Sequence, residues 1–212
     1  MELLANFDKI RILTRCQVRI EQKNEHSITF EPSLSVTKKI YFEQEGQQLI
    51  IRAKSEFRAD VVREGSIPIV KITCLQLEVI EIFEIAVVTC VNVINSEKLS
   101  IIVIKGSLDI WINTIYLDCT ILKGGSAKFR GKVLSAFLLA YHNSQIQCRT
   151  LQCMELFTDL HDTSNAEIFV WEFLEISLFH KSSLIYTGNP KVSLKYIDSG
   201  CSIQSSHSIA KI

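Results

Sequence analysis

Four side chains in one stretch of this sequence have the chemistry of a metal site: His142, Cys148, Cys153 and His161. The two histidines are 19 residues apart. In a chain that coils with that period they would stack and could share an ion. A zinc site needs three or four ligands, though, and Cys148 and Cys153 are wrongly spaced for a knuckle. The residues therefore read as two turn histidines and two packed thiols, with no metal and no cofactor expected. His26, His180 and His207 show no partner pattern. Lys123-Gly124-Gly125-Ser126 lacks the spacing of a phosphate-binding loop, and no helix signal follows it. No G-x-S-x-G nucleophile turn is present.

The seven cysteines (Cys16, Cys74, Cys90, Cys119, Cys148, Cys153 and Cys201) include no C-x-x-C pair. An odd count argues against a disulfide scaffold. Most lie in apolar strand-like runs such as Val88-Thr89-Cys90-Val91 and read as small buried hydrophobes. Free thiols in this number fit a reducing compartment.

Residues can act together only if the elements beneath them bring them together. Helical spacing is scarce, whereas short β-branched runs recur along the whole chain. Ile40-Tyr41-Phe42 and Leu49-Ile50-Ile51 flank a Glu45-Gly46-Gln47 turn and predict a hairpin. Further on the pattern repeats. Leu99 to Gly106-Ser107 aligns with Leu117 to Gly124-Gly125, 18 residues later. A small turn residue recurs as Ser107, Ser126, Ser144, Ser164 and Ser183, in steps of 19, 18, 20 and 19. A short strand precedes and follows each turn. This period predicts a parallel β-solenoid whose coils stack about 4.8 Å apart. A leucine-rich repeat would need a fixed Asn or Cys that does not recur, and an antiparallel sandwich is the other reading.

Stacking makes the acidic residues testable. A polysaccharide lyase or hydrolase on this scaffold needs clustered carboxylates. One period above Asp109 come Ala127 or Lys128, then Gln145 to Gln147, then Glu167; above Asp118 come Phe137 and Leu156. No acidic column is predicted. Asp159 and Asp162 flank a turn and read as a solvated pair.

Several phrases resemble the head GIN domain family of auto-transporter adhesins from Bacteroidetes. Ser183-Leu-Ile-Tyr186-Thr-Gly188-Asn-Pro190-Lys-Val192, then Ser199-Gly200-Cys-Ser202-Ile203, is similar to the family's closing "YxGxP" phrase and its further Ser-Gly turn. Phe7-Asp8-Lys9-Ile10 with Val18-Arg-Ile20 resembles its opening, and Gly46-Gln-Gln-Leu49-Ile-Ile51 an expected early strand. The resemblance runs from about Asn6 to Ile203. It implies an all-β, right-handed parallel β-helix-like solenoid with N-terminal β-strands packed at one end. It also implies a role at the cell envelope or surface; with no acidic column along the coils, the expected role is non-enzymatic binding or interaction. The chain departs from the family in its Gly-poor turns: His142-Asn143-Ser144 and Asp162-Thr163-Ser164 stand where Ser-Gly-Ser is usual. Asn and Asp tolerate left-handed backbone, and Ser caps its own turn.

The expected layout is one structural domain: a strand region at 1-66, repeat coils at 67-204 and a tail at 205-212. The expected turn residues are Gly106, Ser107, Gly124, Gly125, Ser144, Ser164, Ser183, Gly188, Pro190 and Gly200. Trp111, Phe169, Trp171 and Phe173 form the candidate interaction surface. Both faces of the strand through Phe169 to Phe173 carry large groups. That run reads as buried core, as a homo-oligomer contact or as an aromatic platform for a glycan.

Composition narrows the partners. Among 212 residues, 23 Lys plus Arg balance 23 Asp plus Glu, which disfavours nucleic acid and leaves a protein or glycan. The most apolar window, Ile72 to Ile94, is interrupted by Glu78, Glu81 and Glu84. Its uncharged part is too short for the roughly 20 residues of a spanning helix. No signal peptide is visible at the start, so compartment is the point where cysteine content and resemblance pull apart. Three alternatives stand: a binding solenoid, a carbohydrate-active enzyme on the same scaffold, and a structural oligomerisation module.

Overall fold

The computed structural model describes residues 2–31, 40–54 and 67–206. Among these there is no helix, and the chain is a β-solenoid of about 7 turns. It begins with β1 (Glu2–Leu3), β2 (Lys9–Ile12), β3 (Gln17–Gln22) and β4 (Ser27–Glu31). A hairpin of β5 (Ile40–Glu45) and β6 (Gln48–Ala53) follows, then β7 (Ile69–Cys74), β8 (Val79–Ile82) and β9 (Val87–Cys90). Five long strands form the body: β10 (Ile94–Ile104), β11 (Ser107–Leu122), β12 (Ser126–Ala140), β13 (Gln145–Leu160) and β14 (Asn165–Leu178). The last coil and a half are β15 (Ser183–Thr187), β16 (Lys191–Ile197) and β17 (Ser202–Ser205).

Each long strand runs along one face, bends at a corner and continues along a second face. The first halves stack in parallel from Ser107 through Ser126, Gln145, Asn165 and Ser183 to Ser202. The second halves stack from Ile101 through Cys119, Leu138, Thr158 and Ile176 to Leu194. Alternation explains the core. In β11, Leu108, Ile110 and Ile112 point inward while Asp109, Trp111 and Asn113 point outward. One column therefore reads Ile51, Ile12, Ile82, Val103, Ile121, Ala140, Leu160 and Leu178, every member buried. No coil could bury this face by itself.

Chain order and spatial order differ at the N-terminal end. β2 and β3 lie between β6 and β7 on one side and β8 and β9 on the other. β6 and β7 are in turn covered by the antiparallel β5 and β4, and Phe30 stacks on Phe42 there. The predicted hairpin forms, with Phe42 opposite Ile51 and Gly46 at φ 59°. One apolar cluster runs from Phe7 to Leu184, so the boundary at 66/67 does not divide two cores. Residues 55–66 and 207–212, with most of the predicted tail and His207, lie outside the described residues. No helix among the described residues is long and apolar enough to cross a membrane.

Candidate functional site

The turns fix how side chains stack from coil to coil. Lys123-Gly124, His142-Asn143, Asp162-Thr163 and His180-Lys181 each place two successive residues at positive φ. Each turn accepts a backbone hydrogen bond from the one before: Gly124 N donates to His142 O, Asn143 N to Asp162 O and Thr163 N to His180 O, all at 2.9 Å. Serine caps these turns. Ser144 Oγ donates to Tyr141 O at 2.5 Å, and Ser182 Oγ to Leu160 O at 2.9 Å.

The serines predicted as one repeated turn residue occupy two neighbouring columns. Gly106, Gly125, Ser144, Ser164 and Ser182 occupy the buried position of the turn. Ser107, Ser126 and Ser183 open the following strands and share a column with Gln145 and Asn165. The one-residue ambiguity arises because Ser is adjacent to the inward position in several coils. At the far end, Gly188-Asn189-Pro190 breaks the coil at its corner and separates β15 from β16.

His142 and His161 do not stack on each other. A bulge between Lys128 and Arg130 shifts the register there, so that Lys128 faces Gln147 and Arg130 faces Thr150. Because of the extra residue, His142 lies over Asp162 and His161 lies over Tyr141. Asp162 bridges two coils, with Oδ1 at 2.9 Å from His180 Nδ1 and Oδ2 at 3.5 Å from His142 Nε2. His161 instead belongs to an aromatic ladder of Tyr141, His161, Phe179 and Tyr196, with ring centroids 4.2, 4.2 and 4.5 Å apart. Burial in that ladder lowers the His161 pKa from its ordinary value, against opposing fields from Asp159 and Asp162.

The thiols are structural. All seven cysteines are free, and Cys16, Cys74, Cys119, Cys148 and Cys153 are buried. Burial pushes Cys16, Cys74 and Cys153 up to about 12, and raises Cys119 and Cys148 well above the ordinary thiol value. Burial of this kind keeps a thiol protonated and out of reach of a reagent.

The carboxylates are dispersed. The Asp109 column continues as Lys128, Gln147 and Glu167. Asp109 is held by both terminal nitrogens of Arg130, at 2.8 and 2.9 Å, and Glu167 by Arg149 at 2.8 Å. The Asp118 column continues as Phe137, Phe157 and Glu175. Among the described residues, no group of three His, Cys, Asp or Glu side chains is placed to hold a metal ion.

What the coils bring together on the surface is apolar. At the bend two successive residues point outward, which breaks the alternation. Thr114 pairs with Val133 and Tyr116 with Ser135, so Ile115 lies beside Leu134. Cys153 and Glu155 pair with Val170 and Phe173, placing Met154 beside Trp171 and Glu172. Ile115, Leu134 and Trp171 are all exposed, Trp171 to 53%. Tyr116, Phe137 and Phe157 flank this corner around a groove of about 490 Å³ that Glu97, Lys98 and Asp118 also border. Phe157 packs on Phe173 at 5.8 Å.

Of the aromatic residues singled out in the sequence, Phe169, Trp171 and Phe173 share one strand, with Phe169 and Trp171 edge to face at 4.8 Å. Trp171 is therefore not core, and neither is Trp111, which is 50% exposed. Trp111 lies on the flat face, apart from the other three, with the Arg130 guanidinium 5.8 Å from its ring centroid. Ile115, Tyr116, Leu134, Phe137, Met154 and Phe157 escape a strand-by-strand reading. The outward doublets Ile115-Tyr116, Leu134-Ser135 and Met154-Glu155, spaced by 19 and 20 residues, carry their signal.

The family model described as "Putative auto-transporter adhesin, head GIN domain" matches residues 6–190. The chain belongs to the head GIN domain family. Solved structures share the head GIN fold at low sequence identity. A protein described as a putative adhesin from Bacteroides fragilis is 15% identical with a TM-score of 0.85, over 97% of this chain and 94% of that one. A second, from Parabacteroides merdae, is 14% identical with a TM-score of 0.70, over 97% and 94%. A Parabacteroides distasonis protein described as a putative lipid binding protein is 14% identical with a TM-score of 0.68, over 98% and 93%. No curated protein sequence matches this head GIN chain.

Proposed function

We propose that this head GIN chain is a non-enzymatic, adhesin-like binding protein of the cell envelope. Its lateral corner is the contact surface for a partner protein. The carrying observation is the ridge of Ile115, Leu134, Met154 and Trp171 with its neighbours Tyr116, Phe137, Phe157 and Phe173. Contiguous exposed apolar surface of this kind marks interaction sites, and aromatic residues and Met are enriched in them. The carboxylates meanwhile sit in ion pairs or apart, which argues against glycan cleavage. The family's description as adhesins supports the same reading.

The test probes an immobilised panel of extracellular-matrix and bacterial surface proteins with wild type and with Y116S/L134S/F137S. The reading expects at least one protein to be bound, with roughly tenfold weaker binding by the variant, which is about 1.4 kcal/mol.

Self-association is a second reading, favoured by the last coil. Leu194 and Ile197 continue the core columns of Ile176 and Leu178, yet Leu194 is 57% exposed because no further described strand covers it. Light scattering tests this reading, which expects mass to rise with concentration; a strict monomer at high concentration counts against it.

A further inference from the structure

We propose that the flat face formed by the first halves of β11, β12 and β13 binds an acidic polysaccharide, centred on Lys128 and Lys132. This site is distinct from the apolar corner but shares the reading of the chain as a binding protein. In β12, Ala127 and Phe129 are buried, so Lys128, Arg130 and Lys132 project from the same face.

The charges on this face do not cancel. Arg130 is committed to Asp109 in the coil below, and Arg149 to Glu167 in the coil above. Among the described residues, Lys128 and Lys132 enter no ion pair. Two ammonium groups are thus left on a face whose carboxylates are already neutralised.

The surroundings favour a sugar over a bare anion. Lys128 borders an open groove of about 220 Å³ with Ser107, Ser126, Gln145, Gln147 and the Arg130-paired Asp109. Hydroxyls and carboxamides both donate and accept hydrogen bonds, as pyranose hydroxyls require. Trp111, half exposed on the coil below, offers an indole surface to the C–H side of a sugar ring, with Arg130 holding it from one side. Lys128 and Lys132 lie four residues apart on β12, about 13 Å at a rise of about 3.3 Å per residue. An extended polymer that lies along the strand and carries carboxylates or sulfates can therefore meet both.

The test is affinity electrophoresis of the full chain through gels containing polygalacturonate, with dextran gels as the neutral comparison. Flotation with phosphatidylglycerol vesicles checks for a lipid headgroup. Wild type, K128Q/K132Q and W111A are compared, with circular dichroism confirming the fold. The expected result is retardation by polygalacturonate that weakens about tenfold in K128Q/K132Q and in about 0.5 M salt, where surface charges are screened. W111A should weaken it as well. Retardation unchanged in K128Q/K132Q, equal retardation by dextran, or equal binding to the vesicles would overturn the proposal. Shortened polymer recovered from the gel would overturn the non-enzymatic reading and leave the ligand class standing. Loss of protein binding in the corner variant is a separate readout that this site does not control.

Discussion

The His161 imidazole lies flat on the Phe179 ring, with centroids 4.2 Å apart and planes 5° from parallel. Tyr141 covers its other side. The stack disfavours the charged imidazolium, so folding depresses the His161 pKa. A depressed histidine contributes stability that is present above its unfolded value, about 6.5, and is lost as pH falls through the folded value. H161F keeps the stack and removes the proton. Its stability should therefore fall less than wild type's between about pH 7 and pH 5, read as the difference between two urea titration series. Parallel pH dependences for the two proteins would refute this role.

Thr158 occupies an inward column between Leu138 and Ile176, and its Oγ1 has no hydrogen-bond partner among the described residues. Thr158→Val exchanges a buried, unpaired hydroxyl for a methyl of similar size. It should stabilise the protein by about 1 kcal/mol. A lower denaturation midpoint for the variant would show that the hydroxyl is satisfied.

A Cβ on Gly188 would lie 1.9 Å from Val170 O in the coil below, and φ there is +97°. Gly188→Ala should cost about 3 kcal/mol. Gly46, also at positive φ, has nothing within 4 Å of its Cβ position, so Gly46→Ala should cost nearer 1 kcal/mol. Equal costs at the two sites, measured by denaturant unfolding, would deny the steric account.

Five of the seven thiols are buried, while Cys90 and Cys201 are half-buried. A thiol reagent at neutral pH should label Cys90 and Cys201 first, and the other five only as the protein unfolds. Mass mapping of the labelled peptides checks this. Early modification of Cys148 would contradict the packing.

The sequence made the solenoid legible because the period recurs in both turn and strand. Asp109, Lys128, Gln147 and Glu167 stack as the spacing predicts. Two things were not legible. The bulge at Lys128/Arg130 adds a residue to one coil, and that residue decides whether His142 meets His161 or Asp162. The corner places two successive side chains outward, so an alternation rule assigns one of them to the core. That is why Ile115, Leu134 and Met154 were invisible as a surface. The Gly-poor turns were the opposite case: Asn143 and Asp162 do adopt left-handed backbone, and so do Thr163 and Lys181, where residue type gave no warning.

The proposed function requires the side of the solenoid to bind a partner protein without cleaving glycan. The most direct measurement is binding of wild type and Y116S/L134S/F137S to a surface-protein panel, run beside a product assay on polygalacturonate. The expected result is binding by wild type, about tenfold loss in the variant at unchanged thermal midpoint, and no sugar released. Undiminished binding by the variant, or release of sugar, would contradict it.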